Sequence, residues 1–202
     1  MFHVEHRRMD YHLHTNHSMD GRQTMPELCE TMLARGVQEI ALTEHIEPGH
    51  PGEGVDVPPV WENWFAEIAR CRAAYPALVI RSGIEIGDNP LCRAETKTLL
   101  DTLPLDFRLL SLHLVNGVDC YDSEKYFTGK TRAQAYREYA EAKAESILDW
   151  EDFDSVAHIG YVAKFSIYTG QERALVYEDA PDAFDAIFRH VIALGKCIEV
   201  NT

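Results

Sequence analysis

The feature that most restricts this chain is an alternation. Six strand-like runs recur, each followed by a loop and most of those by a helical stretch. The runs are predicted over residues 9–13, 37–43, within 77–86, and over 107–114, 154–158 and 196–200. Between them lie helical signals. Thr24-Met25-Pro26-Glu27 reads as a capping box, with Leu28, Met32 and Leu33 at helical spacing and Gly36 as the stop. Trp61, Trp64, Phe65 and Ile68 form one apolar stripe suited to core packing. Further helices are predicted over 92–100, 131–150 and 181–194, the last with Asp179 as its cap and Gly195 just beyond it. Strands that alternate with helices pair in parallel through right-handed crossovers, so the class is α/β. Two stretches, 46–59 and 115–130, are long polar loops. The first is long enough to act as a lid or substrate loop.

Chemistry-bearing side chains recur where these strands end. His12 and His14 are two apart, so on a strand they share a face, and Asp20 follows a short turn. The second strand ends in Glu44-His45, the third in Gly83-Ile84-Glu85-Ile86-Gly87, the fourth in His113 and the fifth in His158. Residues gathered at strand C-termini favour a barrel-like architecture over a doubly wound sheet. Clustered imidazoles and carboxylates are a standard grip on divalent transition metals. Taken singly, His113 is an ordinary core histidine. Glu85 is different, because an unpaired carboxylate between two isoleucines costs several kcal/mol that a cation would remove. Glu44 fits a carboxylate that orients a neighbouring ligand. His17 is read as a loop residue that faces substrate. His3, His6, His50 and His190 are read as solvated or structural.

The chain has 202 residues, enough for one domain. Its net charge of -14 does not suit a grip on long nucleic acids. Five widely spaced cysteines argue against a disulfide framework and for a reducing compartment. The opening MFHVEHRRMD is too polar for a signal peptide, and no apolar run is long enough to span a bilayer. A soluble, cytoplasmic location with no membrane partner is expected.

Seven segments appear in one order: DYHLHTNHSMDG, ALTEH, GIEIG, SLHLVNG, YFTGKTRAQAYREYAEA, HIGYVAKF and IEVNT. In these the sequence resembles the PHP (polymerase and histidinol phosphatase) superfamily, in its branch of monofunctional histidinol-phosphate phosphatases. The resemblance implies a distorted (β/α)7 TIM-like barrel with up to three divalent ions at its C-terminal rim; zinc, iron and manganese all suit such ligands. It implies that His12, His14 and Glu85 hold one ion, Asp20 and His45 a second, and Glu85, His113 and His158 a third, with Glu85 bridging. The family's Asp-x-His near its C-terminus has no counterpart before Thr202. The expectation is therefore one phosphoesterase domain over 1–202, an incomplete barrel lacking its last strand and helix. Its first two ion sites would each be one ligand short, and its open sheet edge would be free to self-associate. The resemblance also implies basic side chains against the substrate phosphate; Lys164 and Arg93 are candidates by position, and neither is assigned. The implied activity is hydrolysis of a small phosphorylated substrate, L-histidinol phosphate, to L-histidinol and phosphate by a metal-activated water. The alternatives are another phosphoesterase activity on nucleotides or small phosphate esters, or a non-catalytic metal-binding domain.

Overall fold

The computed structural model describes residues 7–200. Six strands form one sheet: β1 (Met9–Leu13), β2 (Glu39–Ile46), β3 (Val79–Gly87), β4 (Phe107–Ser111), β7 (Ser155–Val156) and β8 (Cys197–Ile198), in that spatial order. Every neighbouring pair is parallel. The sheet curls into a half-barrel of the TIM-like kind that the sequence predicts. The helices α1 (Met25–Ala34), α2 (Trp61–Ala74), α3 (Arg93–Leu100), α5 (Arg132–Leu148) and α7 (Pro181–Leu194) connect successive strands.

Local chemistry explains where the elements start and stop. The Thr24 hydroxyl accepts from the Glu27 N–H while the Glu27 carboxylate reaches back to Thr24, closing the capping box of α1. Thr131 and Gln134 do the same for α5. Gly195 ends α7 at φ 64°, a left-handed position that favours glycine.

The core has three parts. Met25, Leu28 and Met32 of α1 pack on Trp64 and Ile68 of α2 and on Ile40, Leu42 and Ile80 of the sheet. Ile84, Ile86, Leu110 and Val156 pack against Ala140, Ala144 and Ile147 of α5 and Ile187 and Val191 of α7. A third cluster, including Tyr126, Phe127, Tyr136 and Tyr139, supports the rim.

The structure corrects several expectations. Residues 115–130 are not simply loop. They fold as a hairpin, β5 (Leu114–Val115) with β6 (Val118–Asp119), followed by α4 (Ser123–Phe127). Asn116 and Gly117, at φ 53° and 77°, form its turn. Asp179 does not cap α7, whose cap residue is Ala180; its carboxylate instead takes the Arg132 guanidinium and the Val176 N–H. A short α6 (Tyr161–Lys164) follows β7. No helix among the described residues is long and apolar enough to cross a membrane.

Candidate metal centre

Glu85 is the centre of the rim. The β2–β3 register sets His45 directly beside it. Its two oxygens divide five imidazoles between them. Oε2 lies 3.0 Å from His12 Nε2, 3.3 Å from His14 Nε2 and 3.4 Å from His45 Nδ1. Oε1 lies 2.9 Å from His158 Nε2 and 3.3 Å from His113 Nε2, and accepts from the Ser111 hydroxyl at 2.5 Å. A register irregularity in β1 between Asp10 and Leu13 falls where His12 turns toward this group. Asp20 completes the ring, with Oδ2 3.6 Å from His45 Nε2.

All of His12, His14, Asp20, His45, Glu85, His113 and His158 therefore meet at one rim. Their ligand atoms converge most tightly, within 4.8 Å, as three sets: His12-Glu85-His158, His14-Asp20-His45 and His45-Glu85-His113. These sets cut across the grouping that the resemblance implies. Four of the five imidazoles on Glu85 divide as that grouping has them, His12 and His14 on one oxygen and His113 and His158 on the other; His45, which the grouping leaves off Glu85, lies on the first.

Two carboxylates behind this layer were not anticipated. Glu47 Oε1 lies 2.8 Å from both His45 Nδ1 and His113 Nδ1. Glu199 Oε1 lies 2.7 Å from His12 Nδ1, and its Oε2 accepts from the His158 N–H at 2.7 Å. A carboxylate on Nδ1 leaves Nε2 as the ligating atom and orients the ring. Gly87 makes room for Glu47: a Cβ there would stand 1.9 Å from Glu47 Oε2. One sequence signal existed for Glu47, which is two residues beyond His45 and so on the same strand face. Glu199 carried none, since it acts across the sheet from β8 to β1.

Electrostatics test whether these residues suit a cation. Glu85 is held well below the ordinary carboxylate range: burial opposes this, and His45, His113, His12 and His14 overcome it. Burial pulls His12 down, but Glu199 and Glu85 outweigh it and raise it to about 10. The same contest raises His45 to about 11, through Glu85, Asp20 and Glu47, and His113 to about 9, through Glu47 and Glu85. For His158 burial wins and lowers it to about 4. His45 draws Asp20 down to about 2. Once Glu47 or Glu199 takes the Nδ1 proton of a neutral ring, the Nε2 lone pair of His12 or His113 points at a carboxylate oxygen. A second proton or a cation must stand between them. The mixed nitrogen and oxygen donors fit a divalent transition metal.

Neighbouring groups hold the ring in place. Glu44 does not contact an imidazole. It accepts from the Thr15 N–H, the Thr15 hydroxyl and the Ser18 hydroxyl, and so fastens the turn that carries Asp20. His17 is paired with Glu67 of α2 at 2.8 Å. Arg93 is bound to Asp88 and Asp149, and Lys164 is exposed on α6, so neither is aimed at the ligand cluster by a contact. Lys143 of α5 is fully buried, its Nζ has no hydrogen-bond partner among the described residues, and burial draws it down to about 8. His190 contacts the Trp150 carbonyl oxygen in a structural role. His3 and His6 lie outside the described residues.

Comparison with known proteins adds an independent line. The PHP domain model matches residues 10–202. A histidinol-phosphatase of Lactococcus lactis subsp. lactis (strain IL1403) is 27% identical over 197 residues, covering 97% of this chain and 72% of that protein. A probable histidinol-phosphatase of Clostridium acetobutylicum is 28% identical over 193 residues, covering 96% of this chain and 72% of its own length. The crystal structure of the Lactococcus lactis histidinol phosphate phosphatase, complexed with zinc, L-histidinol and phosphate, matches with a TM-score of 0.90 at 27% identity, over 96% of this chain and 73% of that one.

Proposed function

This chain belongs to the PHP domain family, and from that premise we propose that it is a metal-dependent histidinol-phosphatase, releasing phosphate from L-histidinol phosphate. The observation that carries the reading is Glu85, a fully buried carboxylate whose two oxygens face two separate groups of imidazole nitrogens. The likeness to a histidinol phosphate phosphatase complexed with zinc, L-histidinol and phosphate supports the substrate. Zinc is the first metal to test, with iron and manganese next.

His12, His14, Asp20, His45, Glu85, His113 and His158 would hold the ions. Divalent ions there supply a water of lowered pKa and a positive field for phosphate oxygens. The protein's own part is positional. Glu85 is shared between the two halves of the cluster. Glu47 and Glu199 hold His45, His113 and His12 as Nε2 donors, and Glu44 anchors the Asp20 turn. No activated serine or cysteine nucleophile is required: burial pushes Cys29 up to about 12 and raises Cys120 as well. The net charge of -14 leaves the ions as the local attraction for a small anionic substrate. We take residues 1–202 as one phosphoesterase domain working in the cytoplasm.

The test is phosphate release from a panel of phosphomonoesters, by chelated protein and by protein reconstituted with zinc, manganese or iron. Turnover that needs metal and is fastest on histidinol phosphate is expected. Faster turnover of mononucleotides would transfer the reading to another phosphoesterase activity. Bound metal without turnover on any ester would leave a non-catalytic domain.

A further inference from the structure

Three segments of the rim meet at a carboxylate that is not one of the candidate ligands. Asp119, at the end of β6, has Oδ2 3.0 Å from His50 Nε2. Its Oδ1 accepts from the Tyr161 phenol at 3.2 Å and from the Tyr121 N–H at 2.7 Å. His50 belongs to the long loop after β2, and Tyr161 opens α6 after β7. Asp119 therefore ties together chain that leaves three different strands.

The proton positions are determined by the surroundings. The Gly52 N–H donates to His50 Nδ1 at 3.0 Å, so in the neutral ring that atom carries the lone pair and Nε2–H points at Asp119. The His50 side chain is only 6% exposed, despite its place in a loop. A phenol keeps its proton near neutral pH, so Tyr161 is the donor to Asp119. The Tyr161 ring lies against two candidate ligands, with centroids 4.7 Å from His113 and 5.0 Å from His158.

We propose that Asp119 is a positioning residue that staples the rim: through His50 it orders the 47–60 loop, and through Tyr161 it holds the ring that packs on His113 and His158. A long loop without regular structure has much conformational entropy to lose when a ligand orders it. Ordering it beforehand removes that cost from substrate binding. Holding the ring restrains two imidazoles in the orientation that binds an ion. The substrate part of this inference rests on the phosphatase reading; the loop and ion parts do not.

The experiment compares His50→Ala, Asp119→Ala, the double variant and His50→Gln, which retains a side-chain N–H donor. Three quantities are read: KM and kcat for histidinol phosphate, the rate of protease cleavage within 47–60, and the rate at which bound zinc is lost to a chelator. His50→Ala and Asp119→Ala should each raise KM by roughly tenfold, with kcat changed less than about twofold for His50→Ala, a size in line with support lost behind a site. Both should speed loop cleavage. The double variant should be no worse than the worse single, because the two residues form one contact. His50→Gln should recover most of the loss. Asp119→Ala alone should also speed zinc loss, since His50→Ala leaves Tyr161 tied. If Asp119→Ala does not fold, Asp119→Asn serves: His50 and Tyr161 donate to different oxygens, and the amide sets an NH2 group against one of the two donors. Fully additive single effects, or an Asp119 variant with unchanged cleavage and zinc loss, would overturn the staple. Absence of turnover in the unmodified protein would defeat the phosphatase reading instead, and the cleavage and zinc arms would still decide the staple.

Discussion

At the scale of single residues, the centre is a contest between burial and pairing. Glu85 is buried, yet the imidazoles of His45, His113, His12 and His14 keep it ionised. Glu47 and Glu199 then settle which ring nitrogens face inward. Glu47→Gln should weaken metal binding by roughly 10–100-fold, the usual cost of losing a carboxylate behind a ligating histidine. Chelator-competition titration measures this, and unchanged affinity would remove Glu47 from the account. A pH effect follows from the same pairs. In chelated protein His12, His45 and His113 have raised pKa values, about 10, 11 and 9. Their pairing energy is fully present below the unfolded histidine value of about 6.5 and is lost as pH rises through the folded values. Glu85 and Glu47, with lowered values, report the same contacts from the acid side, where stability is lost as pH falls below the ordinary carboxylate range. Chelated protein should thus melt lower at pH 10 than at pH 7. Metal affinity should move the opposite way, because protons compete for the same nitrogens. Thermal melts and metal titrations across that range check both signs. The residues that converge at the rim were legible in the sequence, since histidines and carboxylates recur at its predicted strand ends. Their partners were less so. Glu199 meets His12 only after the whole sheet has curled, and no local pattern reports that distance.

At the scale of elements, register does the positioning. β2 and β3 pair without interruption from Glu39 beside Val79 to Ile46 beside Ile86, which sets His45 beside Glu85. Gly87 closes the arrangement by leaving room for the Glu47 carboxylate. Gly87→Ala would place a methyl group 1.9 Å from Glu47 Oε2, so the carboxylate must move off both histidines. The expected result is a loss of about 1–3 kcal/mol in stability, the range for overpacking, together with weakened metal binding. Denaturant melts and metal titration of that variant check it; wild-type values in both would show that Glu47 is not held there. The sequence predicted the strands and long helices well, because capping boxes, apolar periodicity and stop glycines are local signals. It missed the β5–β6 hairpin, where only Asn116-Gly117 marks the turn and each strand is two residues long. It also misplaced Asp179, whose carboxylate is drawn away by Arg132 on a distant helix.

At the scale of the whole molecule, the half-barrel has two sheet edges. β1 pairs only with β2, and β8 only with β7, among the described residues. Among the described residues, His12 and Glu199 link the two edge regions through their side chains. Unpaired strand edges invite another chain. Sedimentation at rising concentration should reveal a dimer, and Cys197→Lys, which puts a charge on the exposed β8 edge, should return it to monomer. A monomer at every concentration would show that the edges are protected. Bound metal and histidinol phosphate turnover, measured together in the reconstituted protein and in its Glu85→Gln variant, decide whether one shared carboxylate serves both ion binding and hydrolysis. Metal-dependent turnover is expected in the first, and in the second a loss of both bound metal and kcat. Full metal content with retained kcat in Glu85→Gln would show that Glu85 holds no ion that turnover needs.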